Sequence, residues 1–96
     1  MTEPKKFRKK PVVVEARQLG RDYDEDVAIM QWCHGRFRPD PHDDADDAAL
    51  FLIDTPEGPH IARSGDWIIR GVKGEFYPCK PDIFAATYEE VRDEPN

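Results

Sequence analysis

A chain of 96 residues with 39% hydrophobic and 35% charged content has the material for one small folded domain, not a disordered polymer. Domains of this size bury only about 60 to 65% of their unfolded surface, which leaves little room for a private cleft and makes a homo-oligomer the expected way to build one. No run approaches the roughly eighteen apolar residues of a membrane span, and the cationic opening is interrupted too soon for a secretory signal, so the expected location is the cytoplasm.

The formal charge of −6 is unevenly spread. Lys5, Lys6, Arg8, Lys9, Lys10, Arg17 and Arg21 crowd the beginning, and two acidic patches follow, Asp22 with Asp24, Glu25 and Asp26, then Asp40 with Asp43, Asp44, Asp46 and Asp47. The molecule is therefore dipolar, and with a pI near 5.0 only the basic arm suits a phosphate backbone, which argues against nucleic acid as a partner.

In chain order, residues 1–10 read as a flexible basic tail. Pro11 to Leu19 alternates in β-branched fashion, with Val12, Val14 and Ala16 on one face and Val13, Glu15 and Arg17 on the other, which predicts a half-buried strand. Gly20 ends it, and Asp22 or Asp24 can cap a helix carrying Glu25 and Asp26 at the positive end of its dipole. Val27, Met30 and His34 form one helical stripe, Ile29, Trp32 and Cys33 another, and Gly35 is the expected left-handed stop. Arg36-Phe37-Arg38 suits a short strand before Pro39, and the aspartate run that follows reads as a solvated loop. It lacks the glycine and distal glutamate of a calcium-binding loop.

Leu50 to Ile53 predicts a central strand, Thr55-Pro56-Glu57-Gly58 a turn, and Pro59 to Ala62 a returning strand. Ser64-Gly65-Asp66 turns the chain into Trp67–Arg70. After Gly71-Val72-Lys73-Gly74, the segment Glu75–Lys80 runs back as the second arm of a hairpin, with Pro78 at an edge or bulge. Asp82 can cap one helical turn through Ile83, Phe84 and Ala85, and Thr87 to Val91 closes as a strand. The expected fold class is α+β: one helix packed on a twisted, partly rolled antiparallel sheet of about five to six strands. The domain spans 11–91, with an acidic loop at 39–49 and a tail at 92–96.

The wording Pro59-His60-Ile61-Ala62-Arg63, Gly65-Asp66-Trp67-Ile68, Gly71-Val72, Gly74-Glu75, Tyr77-Pro78, Lys80-Pro81, Phe84 and Thr87-Tyr88-Glu89 resembles a group of small tailed-phage and prophage accessory proteins. The likeness covers residues 50–91 well and 8–19 weakly. It implies a product acting inside an infected bacterium, in company with genes that inhibit host enzymes or withhold host immune nucleotides, and it carries no catalytic motif to transfer.

The residues themselves point to binding more than to catalysis. Neither a nucleophile elbow nor a phosphate-cradling loop, a dinucleotide fingerprint or a paired-histidine zinc motif occurs. Cys79 with His60 as base lacks a third orienting group, and zinc on Cys33, His34, His42 and Cys79 lacks paired spacing, so neither a metal nor another cofactor is expected. Both cysteines read as free thiols in a reducing compartment. Arg63, Arg70, Lys73 and Lys80, interleaved with Trp67, Phe76 and Tyr77, form the combination that holds phosphates by charge and stacks a base on a ring. Alternation separates Arg70 from Trp67, which favours Trp67 as core and Tyr77 as the stacking ring, with His60 beside the turn. The leading expectation is a non-enzymatic protein that binds and sequesters a small anionic, nucleotide-like ligand through His60, Arg63, Arg70, Lys73, Tyr77 and Lys80. The alternative is an inhibitor of a host protein that uses the acidic loop and the first helix.

Overall fold

A computed structural model describes residues 3–8, 10–39 and 49–91, with nothing stated of the Ala49 side chain. Most of the acidic loop and the 92–96 tail lie outside the described residues. Eight elements follow one another: β1 (Glu15–Gln18), α1 (Tyr23–Cys33), β2 (Arg36–Pro39), β3 (Ala49–Thr55), β4 (Gly58–Ala62), β5 (Trp67–Arg70), β6 (Phe76–Cys79) and α2 (Pro81–Thr87).

The α+β class holds, but the strands form two three-stranded antiparallel sheets, ordered β1-β5-β6 and β2-β3-β4, and the helices number two among the described residues. Periodicity reports which residues share a face and is silent on which strand sits beside which, so the division into two sheets was not readable from it. The dividing point is the β4–β5 turn, where the chain leaves one sheet and enters the other. Here Asp66, only 4% exposed, accepts the Arg63 amide at 2.9 Å and the Lys80 ammonium at 2.9 Å, while its own carbonyl accepts the Leu19 amide.

The first strand is shorter than expected. Its register with β5 runs from Gln18 opposite Trp67 to Glu15 opposite Arg70. Beyond Arg70 the partner turns away at Gly71, so Val12 and Val13 have no strand beside them there and stand exposed.

Asp22 caps α1, its carboxylate accepting the Glu25 amide at 2.8 Å. The helix ends on His34, which takes the left-handed conformation (φ 57°) expected of Gly35. Gly35 answers a different need: a Cβ there would lie 2.5 Å from the Phe51 ring, so the chain passes β3 too closely for any side chain. The second helix exceeds its expected single turn because Pro81 opens it with a preset φ, and Lys80, not Asp82, occupies the cap position, without a side-chain capping bond. Among the described residues no strand follows it, since residues 88–91 carry no regular structure.

Leu19, Ile29, Cys33, Phe51, Ile53, Ala62 and Ile68 make the core, flanked by Met30, Trp32 and Phe76. Of the two helical stripes, the one with Ile29, Trp32 and Cys33 faces inward. Opposite faces of the β1-β5-β6 sheet are covered differently. Alternation puts Ile68 and Phe76 on the core side, where Trp32 meets Phe76 edge-on at 5.0 Å, and Trp67 on the other, where Phe84 of α2 stacks on it at 4.1 Å.

Replacing Asp66 by alanine removes the acceptor of the part-buried Arg63 amide and of the Lys80 ammonium together, and is expected to cost about 2 kcal/mol in urea unfolding. Lys80→Ala, which removes only the half-exposed partner, is expected to cost less than about 1 kcal/mol. Equal costs for the two would contradict the central place given to Asp66.

Candidate functional site

The six residues singled out on the sequence are not brought to one place. His60 lies in β4 opposite Ile53, in the β2-β3-β4 sheet. Arg70 ends β5 and pairs across the strands with Glu15 at 3.4 Å. Lys73 sits at the exposed tip of the hairpin loop, its amide donating to Glu75 Oε2 at 3.0 Å. Arg63 and Lys80 lie at the opposite end, around Asp66. In a strand rising ~3.3 Å per residue, Lys80 stands roughly 13 Å along from the position opposite Arg70. The cations therefore divide between the two ends of the ribbon.

Tyr77 is not an open stacking platform. It is half-buried on the Trp67 face, and its hydroxyl lies 3.5 Å from that of Tyr88, the ring that stacks on Phe84. Burial, with the Tyr88 hydrogen bond, pushes its phenol up to about 12. Trp67 also serves this aromatic stack.

Cys33 is a buried thiol outside any disulfide, pushed up by desolvation, and Cys79 in β6 is a half-buried thiol whose Sγ donates to the Lys80 carbonyl at 3.6 Å. His60 and Cys79 belong to different sheets. Among the described residues no cluster of three or more His, Cys, Asp or Glu side chains is placed to hold a metal ion, and His42 lies outside them. No described helix is long and apolar enough to cross a membrane.

Two surface depressions among the described residues bear on function. A groove of about 650 Å³ lies where α1 ends beside the hairpin loop, lined by Trp32, His34, Asp54, Arg70, Glu75 and Phe76 among others. Its volume suits a small molecule, but Asp54, Glu75 and the carbonyl end of α1 oppose the charge of Arg70, so an anion gains little there. Arg70 and Asp54 are further occupied by Glu15 and Arg36.

The second depression, about 390 Å³, runs along β1 beside α1 and is lined by Ala16, Arg17, Gln18, Arg21, Glu25, Ala28, Ile29 and Trp67. Its floor is a sheet edge that is free among the described residues, because β1 ends the order β1-β5-β6. The direction of its hydrogen bonds follows from Leu19, whose amide donates to Asp66 and whose carbonyl accepts the Gly65 amide, both at 2.9 Å. Both groups thus face the β5 side. By the alternation of an antiparallel ladder Arg17 and Glu15 do likewise, and Gln18 and Ala16 turn their amides and carbonyls outward, along the cleft. The Arg17 guanidinium lies 5.1 Å from the centre of the Trp32 ring, which holds it on the α1 side.

The residue pattern puts Arg17 on a strand and Ile29 on a helix, whereas the trough between the two elements arises from their packing. The available signal was the length mismatch between Pro11–Leu19 and its four-residue partner Trp67–Arg70, which leaves strand-forming residues unpaired.

Compared with protein-family models, curated proteins and solved structures, the chain has no significant match.

The raised Tyr77 phenol has a direct consequence for stability. A group whose folded pKa lies above its unfolded value of 10.0 stabilises the fold fully below that value and loses the contribution as pH climbs through about 12. Denaturation midpoints should therefore fall between pH 10 and about 12, and Tyr77→Phe should flatten that fall. A slope unchanged by the substitution would place the titration elsewhere.

Proposed function

We propose that this chain is a non-enzymatic interaction protein that takes an extended segment of a partner protein into the cleft between β1 and α1. The observation that carries the reading is the free edge of β1, whose outward amides and carbonyls lie beside a helix at a distance that leaves a trough. Adding a strand satisfies those groups through the main chain, and a helix alongside supplies side-chain selection. The walls suit a strand bearing small residues against Ala16 and Ala28 and a carboxylate near Arg17. Exposed edges invite pairing unless they are blunted, and no proline or bulge interrupts Glu15–Gln18. The part played by the first helix agrees with a host-factor inhibitor, one of the two roles that the phage resemblance implies, although the acidic loop expected to share it lies mostly outside the described residues.

A second reading, a small anionic nucleotide-like ligand withheld in the same cleft, is favoured by Arg17 and Arg21 on its lining. It ranks below the first because Asp22, Asp24, Glu25 and Asp26 crowd the same helix start, and because Arg21 is already 4.0 Å from Glu25.

Backbone amide spectra separate the two. Titration with a short Val/Thr peptide bearing one central Asp should move the signals of residues 14–18 and 25–29, and the same peptide N-methylated along one edge should move none. Titration with nucleoside monophosphates and cyclic dinucleotides should leave them in place. Shifts produced by nucleotides and not by peptide would reverse the ranking, and shifts with neither would remove the cleft as a binding site.

A further inference from the structure

We infer that the strand this cleft takes up in the free protein is β1 of a second copy of the chain, paired antiparallel about a two-fold axis through Ala16. The inference rests on the strand-accepting reading above and names the occupant. A self-complementary edge is what a two-fold dimer requires, since each residue must meet its opposite number under the same operation.

Three features of β1 select this register. Outward-facing backbone groups belong to even-numbered residues, so an axis through Ala16 makes Ala16 with Ala16, and Val14 with Gln18, hydrogen-bonded pairs. Odd-numbered residues then form the close, non-hydrogen-bonded pairs, and Glu15 falls opposite Arg17 of the second copy, twice over by symmetry. Shifting the axis to Val14 would oppose Glu15 to Val13, and shifting it to Gln18 would oppose Arg17 to Leu19 and Glu15 to Arg21, which lies past Gly20 outside the strand and already pairs with Glu25, so neither shift keeps a charge pair within Glu15–Gln18.

The third feature is continuity with what each subunit already holds. Glu15 sits 3.4 Å from Arg70 on its β5 side, so the second copy's Arg17 would place a guanidinium on its other side, a row of alternating sign across the joined sheets. Val13, 73% exposed in the single chain, comes opposite the second copy's Leu19, and Val12, 47% exposed, comes opposite its Gly20. The product is one six-stranded sheet, β6-β5-β1 joined to its two-fold copy, with no β1 edge left open.

Sedimentation equilibrium of the full chain tests this without any ligand. At a few hundred micromolar the mass should be twice the single-chain value of 11.1 kDa, falling toward that value on dilution. Arg17→Glu places like charges across both symmetric pairs and should raise the dissociation constant about tenfold or more, and Glu15→Arg should do the same. Mixed in equal amounts, the two variants restore opposite charges in both pairs and should give a heterodimer tighter than either homodimer. Ala16→Pro, whose lost amide points away from β5, should leave the circular dichroism of the fold intact and give a monomer.

A single-chain mass at every concentration overturns the inference, as does a mixture that associates no better than its components. The peptide titration above then decides the strand-accepting reading separately.

Discussion

The arrangement of this molecule depends on one buried carboxylate. Asp66 accepts the Arg63 amide and the Lys80 ammonium on the same Oδ2, and through its main chain it holds Leu19 and Arg63. Four segments therefore meet there: the end of β1, the exit of β4, the start of β5 and the approach to α2. That node holds the turn by which the chain passes from one sheet into the other, and it anchors the end of β1 at the close of its ladder with β5. A charge buried to this degree is tolerable only when its acceptor sites are used, and here an amide and an ammonium use them.

From this node follow both what the surface offers and what it withholds. Holding Leu19 against Asp66 sets the phase of β1, and the phase decides that Ala16 and Gln18 present their backbone groups to the cleft. The same node takes Lys80 out of any ligand site, while Glu15 takes Arg70. Two of the cations that look available in the sequence, Arg70 and Lys80, are thus engaged in holding strands to one another, and Lys73 stands apart at the hairpin tip. What is left is a main-chain edge, which recognises another main chain.

Much of the local structure was legible in the residues. Trp67–Arg70 is a strand with the expected bounds, Asp22 caps α1, and Arg36 to Pro39, the Leu50 run and the returning strand at Pro59 all appear. These features depend on neighbours a few residues away. The partner of β1, the partition into two sheets and the loss of the closing strand depend on contacts far along the chain, which alternation does not encode. Tyr88 shows the difference: in sequence it extends a β-like run, but in space it caps an aromatic column with Phe84 and Trp67. The hairpin cations misled for the same reason. Their clustering is a fact of sequence, whereas the ~13 Å between the ends of the ribbon is a fact of geometry.

The most direct measurement is amide hydrogen exchange at Ala16 and Gln18 over a range of protein concentration. These amides point away from β5, so only an added strand can protect them, whereas Arg17 is protected by β5 in every state. Slow exchange at high concentration that becomes fast on dilution, with Arg17 slow throughout, is the result the account predicts. Exchange at Ala16 and Gln18 that is equally fast at all concentrations would contradict it.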